Sequence, residues 1–216
     1  MILTCRETRS DKKFILIFFT VGVLGFLIPW SRNFFETIIP FALLLSVYLL
    51  AIYHYKYTLK DVVVFLAIAI IGFFIEAIGV NTGLIFGNYF YGDALGVKLL
   101  NTPLLIALNW LFLTYTASSV SERITSNTKL QIVVAPTIML LYDLILEQLA
   151  PRMNMWSWQE SAVPIQNYLA WWIIGFLFVC IMKIFKIDTK NPLASILFIS
   201  QFVFFVILYI FYRLFL

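Results

Sequence analysis

Glu76, Asp143 and Glu147 sit inside or at the rim of stretches that are otherwise apolar. An acidic side chain at membrane depth costs about 2.5–3.5 kcal/mol on insertion scales, so a functional role is the default reading. The chemistry open to such groups is acid-initiated. A carboxylic acid can protonate an alkene if it keeps its own proton near neutral pH, a state that burial and a neighbouring carboxylate both favour. The faces of Trp and Tyr rings can stabilise the resulting carbocation. A second carboxylate can position water as general base. Together these steps make alkene hydration, and isomerisation or cyclisation would use the same parts.

The elements that must hold these groups are membrane helices. The chain has 216 residues, 62% hydrophobic and 12% charged, with a mean hydropathy of +0.97; soluble domains carry about 25% charge. Seven apolar runs stand out, at 14–30, 37–53, 62–80, 103–120, 130–149, 167–184 and 193–212. Each is long enough to cross a hydrocarbon core of about 30 Å. Little sequence lies between them, so the expectation is an all-α, polytopic bundle of about seven spans, a single membrane domain over residues 1–216. The first run follows Arg6, Arg9, Lys12 and Lys13 but offers no small-residue processing site near Phe26–Trp30. It therefore reads as a span rather than a cleaved signal.

Loop charge predicts the orientation. The N-terminal tail, the loops after spans two, four and six, and the last turn of span six (Lys183) hold eleven of the fifteen Lys and Arg residues. The positive-inside bias then puts the N-terminus in the cytoplasm and the C-terminus outside; the expected location of this multi-pass protein is the cell inner membrane. The net charge of +4 follows from that bias and lends nothing to nucleic-acid binding.

With that topology, helical rise sets depth. Glu76, Asp143 and Asn109 each fall about 20–21 Å above the cytoplasmic face at about 1.5 Å per residue. Glu147 lies one turn above Asp143 on the same face, and Asn167 opens span six near Trp171 and Trp172. Ala69, Gly72, Glu76 and Gly79 form a small-residue strip that lets a neighbouring helix approach. Thr102, Asn109 and Thr116 recur every seven residues as a polar stripe on span four. Pro136 is placed to bend span five and free a carbonyl toward the pocket. The competing reading is that these polar groups only tie helices together.

Two outer loops stand over this level. Residues 79–102 hold five of the nine glycines, with Phe86, Tyr89, Phe90 and Tyr91. Such a long aromatic loop predicts a folded cap or a shallow re-entrant segment. Residues 150–166 carry Trp156, Trp158 and Glu160. Interfacial belts attract the same ring types, but clustering on one side favours a lining for the alkene by Tyr89, Trp110, Trp156, Trp158 and Trp171.

Several chemistries fit less well. Prenyl diphosphate enzymes need acidic metal clusters beside cations, whereas Asp143-x-x-x-Glu147 is a weak echo and the outer side offers only Arg32, Lys98, Arg152 and Arg213. Di-iron oxygenases need several histidines, and the chain has one, His54, at the cytoplasmic end of span two. No metal site is expected.

The blocks Glu76-Ala-Ile-Gly79-Val-Asn81-Thr82-Gly83 and Phe86-Gly87-Asn-Tyr89-Phe-Tyr91-Gly92 resemble a signature of the membrane carotenoid biosynthesis proteins that include the carotenoid 1,2-hydratases. Asn109-Trp110 is similar to the next block. Tyr142-Asp143, Glu147, Trp156-Ser-Trp158 and Val163-Pro164-Ile-Gln-Asn167-Tyr168-Leu-Ala-Trp171 are similar to the last. The chain departs from the pattern at Glu147-Gln148, where an acidic residue followed by proline is common. The resemblance implies addition of water across the terminal isopropylidene double bond of an acyclic carotenoid end, as in lycopene or a γ-carotene type molecule, without a cofactor. Its implied partners are the carotenoid, water, membrane lipid and other enzymes of the pathway. Glu76 or Asp143 is the expected proton donor, with the other or Glu147 holding water, and Asn81, Asn109 and Asn167 positioning them. The alternatives are an end-group cyclase or isomerase, and a non-enzymatic lipid-binding or proton-coupled transport protein.

Overall fold

The computed structural model describes residues 5–160 and 162–215. Its helices are α1 (Cys5–Leu27), α2 (Arg32–Thr37), α3 (Ile39–Ile52), α4 (Leu59–Thr82), α5 (Leu105–Ile124), α6 (Thr128–Leu146), α7 (Ile165–Ile184) and α8 (Ala194–Phe215). Four short strands, β1 (Tyr89–Tyr91), β2 (Lys98–Leu99), β3 (Thr102–Pro103) and β4 (Trp156–Trp158), come from the two long loops. The fold is all-α and membrane-like, with a small β cap.

Four helices, α4, α6, α7 and α8, are long and apolar enough to cross a membrane, and α3 is a shorter apolar helix. The remaining long helices differ for identifiable reasons. α1 carries Asp11, Lys12 and Lys13 on its early turns. α5 is polar because it is the axis of the bundle. It packs on α3, α4, α6, α7 and α8, and Phe112 through Ser119 are buried without a break. A helix buried all round needs no lipid-facing stripe, and Thr114, Thr116, Ser118 and Ser119 let its neighbours come close.

Local signals set the ends of α4. Thr58 and Asp61 form a reciprocal capping box, satisfying two of the first-turn N–H groups. Gly83 closes the helix at φ +68°, a left-handed conformation that glycine takes without the Cβ penalty. In α6 the helix runs through Pro136 without interruption, and Pro136 packs against Gly175 of α7.

The polar stripe expected on span four is split. Thr102 belongs to β3, and α5 starts only at Leu105, because Pro103 favours an extended residue before it. The glycine-rich loop is a folded cap with two ladders. β2 pairs with β3, and β1 pairs antiparallel with β4 in the register Tyr89↔Trp158, Phe90↔Ser157 and Tyr91↔Trp156. Bonds from Gly92 N–H to the Met155 carbonyl (2.9 Å) and Ala94 N–H to the Asn154 carbonyl (3.1 Å) continue the second ladder. The two loops therefore close over the helices as one unit.

Candidate active site

The β1–β4 pair builds the roof of the site. Successive strand side chains point to opposite faces, so Tyr89, Tyr91, Trp156 and Trp158 turn inward while Phe90 lies outside. All four inward rings carry a polar hydrogen at the tip. The two tyrosines serve Glu76: their hydroxyls donate to its Oε2 at 2.6 and 2.8 Å. The two tryptophans serve Glu147: their Nε1–H groups donate to its Oε2 at 3.1 and 2.7 Å. Burial, and after it the Glu76 charge, push the Tyr89 and Tyr91 hydroxyls well above the usual tyrosine range, which keeps them as donors.

The helices supply the floor. Trp110 of α5 donates to Glu76 Oε1 at 3.2 Å and stacks on Trp171 of α7, with centroids 4.3 Å apart. That placement depends on Gly72, where a Cβ would lie 2.8 Å from the Trp110 ring. The small-residue strip on α4 thus receives aromatic rings as well as a helix, since Phe86 from the cap fills the space over Gly79 in the same way. Asn167, in the first turn of α7, divides its amide between Asp143 Oδ2 (3.1 Å) and Glu147 Oε1 (3.2 Å). Three carboxyl groups from two helices are gathered at one end of the bundle, as the depth argument expected.

The acids are not equivalent. Glu76 and Glu147 each accept three hydrogen bonds. Asp143 is fully buried and accepts one, and its Oδ1 has no partner among the described residues. An unsatisfied buried acceptor costs about 1–3 kcal/mol, a cost that persists in sites kept for chemistry. The described ion pairs, Lys98–Asp93 and Lys183–Glu122, lie elsewhere. Oriented N–H and O–H dipoles therefore compensate the acids, with no cation in contact. Among the described residues no group of three or more His, Cys, Asp or Glu side chains is arranged to hold a metal ion.

Two cavities share walls here. A small one of about 20 Å³ is lined by Glu76, Glu147, Tyr89, Tyr91, Trp158 and Asn167, among others, enough for about one water by the usual requirement of about 10–15 Å³. A larger one of about 340 Å³ runs between α1, α3, α5 and α8 and is walled by Phe18, Phe26, Phe35, Phe204 and Phe205. Ile106, Asn109 and Trp156 line both. The larger cavity reaches the bundle surface at Val21 and Phe34, which are 50% and 62% exposed.

Of the expected site residues, Tyr89, Trp110, Trp156, Trp158, Asn167 and Trp171 join the carboxylates, and Asn109 stands at the cavity junction. Asn81 does not join them. Its amide binds the carbonyls of Ala77 and Leu100 and accepts from Asn101, so it pins the cap to α4. Tyr91 and Ile106 belong to the site and were not among the expected residues. Tyr91 carried a signal, its two-residue spacing from Tyr89, whereas Ile106 is one of many aliphatic residues and carried none. His54 lies apart, buried against Tyr115 at 2.9 Å.

Residues 38–216 match a family described as carotenoid biosynthesis protein. No curated protein and no solved structure matches the chain.

Proposed function

This chain belongs to the carotenoid biosynthesis proteins, and we propose that it adds water to the terminal isopropylidene double bond of an acyclic carotenoid end. The observation that carries this reading is that an apolar cavity and a water-sized carboxylate chamber share the walls Ile106, Asn109 and Trp156. An alkene end arriving through the first would meet acid, water and base in the second.

The Asp143–Glu147 pair, joined by Asn167, delivers a proton to the CH carbon of the double bond, leaving a tertiary cation on the dimethyl carbon. The rings of Trp156, Trp158 and Tyr89 lie against that charge. Water held at Glu76 attacks the cation, and its surplus proton passes to the Glu76 carboxylate. Return of that proton across the chamber resets the pair. Glu76 suits the water-holding role because it lines the water-sized chamber, with the Tyr89 and Tyr91 hydroxyls and the Trp110 N–H fixing its carboxyl group. The pair suits the donating role because it contains the acid with an unpartnered oxygen. The polyene remains in the larger cavity and in lipid, in a bundle of seven spans with its N-terminus in the cytoplasm. The proposed location is the cell inner membrane, beside the pathway enzymes that make the substrate.

Expression in a lycopene-producing host tests the reaction, with pigments analysed by mass. Addition of one water's mass is expected. A product of unchanged mass would instead identify a cyclase or isomerase. Glu76→Gln and Asp143→Asn should each abolish the hydroxylated product while the protein still inserts. Full activity in both would overturn the acid–base assignment.

A further inference from the structure

At the cap end of the bundle, three of the four Lys and Arg residues that the loop-charge pattern places outside, Arg32, Arg152 and Arg213, come from segments next to one buried ring. Arg32 opens α2, Arg152 follows α6, and Arg213 is the neighbour of Tyr212 in α8. The Arg32 and Arg152 guanidinium carbons lie 5.1 and 5.4 Å from the Tyr212 ring centroid. Each spends one described hydrogen bond on a backbone carbonyl, Arg32 Nε–H on Phe26 (3.4 Å) and Arg152 Nη1–H on Tyr212 (3.4 Å). The other guanidinium N–H groups are available for bidentate work.

No carboxylate is within ion-pair distance of either guanidinium among the described residues. Glu36, on α2, is the acid whose charge acts on Arg32, without contact. Two like charges around one ring repel each other, and the planar, fork-like guanidinium is suited to a phosphate.

The surroundings narrow the ligand further. Phe26, Phe34, Phe35 and Met153, within three residues of these arginines in the chain or accepting a hydrogen bond from them, line the large cavity. The cationic pair thus sits on the rim of an apolar opening. A soluble phosphate would leave that rim bare, whereas a lipid offers a phosphate and an apolar chain together.

We propose that Arg32 and Arg152, held on the Tyr212 ring, bind the phosphate of an anionic phospholipid whose acyl chain lies over the mouth of the large cavity. The proposal stands or falls on binding alone, so its test does not depend on the reaction proposed above.

The test uses the full chain in detergent micelles doped with phosphatidylglycerol or phosphatidylcholine, with retained lipid counted by native mass spectrometry. At least tenfold preference for phosphatidylglycerol is expected. The double variant Arg32→Gln/Arg152→Gln should lose it, and Arg32→Lys/Arg152→Lys should keep part of it, because charge survives while the fork is lost. Lys98→Gln removes a cap cation paired with Asp93 and should leave the preference intact. Equal binding of both lipids by the natural chain would overturn the proposal. So would a preference that persists in a double glutamine variant of native helical content, or one abolished by millimolar inorganic phosphate alone.

Discussion

Trp158 illustrates how much one donor can carry. Its indole N–H reaches Glu147 at 2.7 Å, shorter than the 3.1 Å bond from Trp156. Loss of a preorganised donor at a developing charge costs on the order of 10²-fold in rate. Trp158→Phe keeps the ring over the chamber and removes that donor, so product formation per inserted protein should fall on the order of 10²-fold, with Trp156→Phe falling less. Pigment yield normalised to membrane-inserted protein measures both. If Trp158→Phe matches the natural chain, Glu147 does not depend on the roof for its role.

The roof depends in turn on a backbone contact between two distant loops. Gly92 lies so close to Asn154 that a Cβ would sit 2.3 Å from the Asn154 carbonyl oxygen. That oxygen is backbone, with no flexible side chain to yield. Gly92→Ala must push β1 from β4, at an overpacking cost of about 1–3 kcal/mol. The expected result is a lower thermal midpoint and a red-shifted tryptophan emission, as Trp156 and Trp158 lose their burial. An unchanged spectrum would mean that the cap closes without this ladder. The same reasoning explains why α4 carries glycine at position 72, since any larger residue displaces Trp110 from both Glu76 and Trp171.

The bundle's architecture sets how a reactant reaches the acids. The cap covers the carboxylate chamber, whereas the large cavity opens between helices at Val21 and Phe34. Access from the bilayer suits a molecule that water does not dissolve. Ile106, buried and shared by both cavities, is the place to intervene. Ile106→Trp should stop product formation and leave the substrate unaltered in the membrane, while far-UV circular dichroism retains the native helical content. Continued turnover would place the route elsewhere. In the Ile106→Trp protein the roof hydrogen bonds remain, which separates a blocked path from a broken site.

Much of this was legible in the linear chain. Lipid cannot satisfy backbone polar groups, so spanning segments announce themselves as long apolar helices, and the acids within them stand out because they are costly there. Helical rise alone places Glu76, Asp143 and Glu147 toward one end of the bundle. Which donor serves which acid was not legible. Tyr89 pairs with Trp158, 69 residues further along the chain, through strands of three residues that are too short to leave a periodic pattern. Asn81 looked like a site residue from its block and instead pins the cap, because its direction depends on where residues 100–101 return. The contrast between Glu76, with three donors, and Asp143, with one, likewise arises from the packing of helices and cap. Composition and spacing select the elements and the reactive groups; hydrogen-bond partners exist only once distant segments have met.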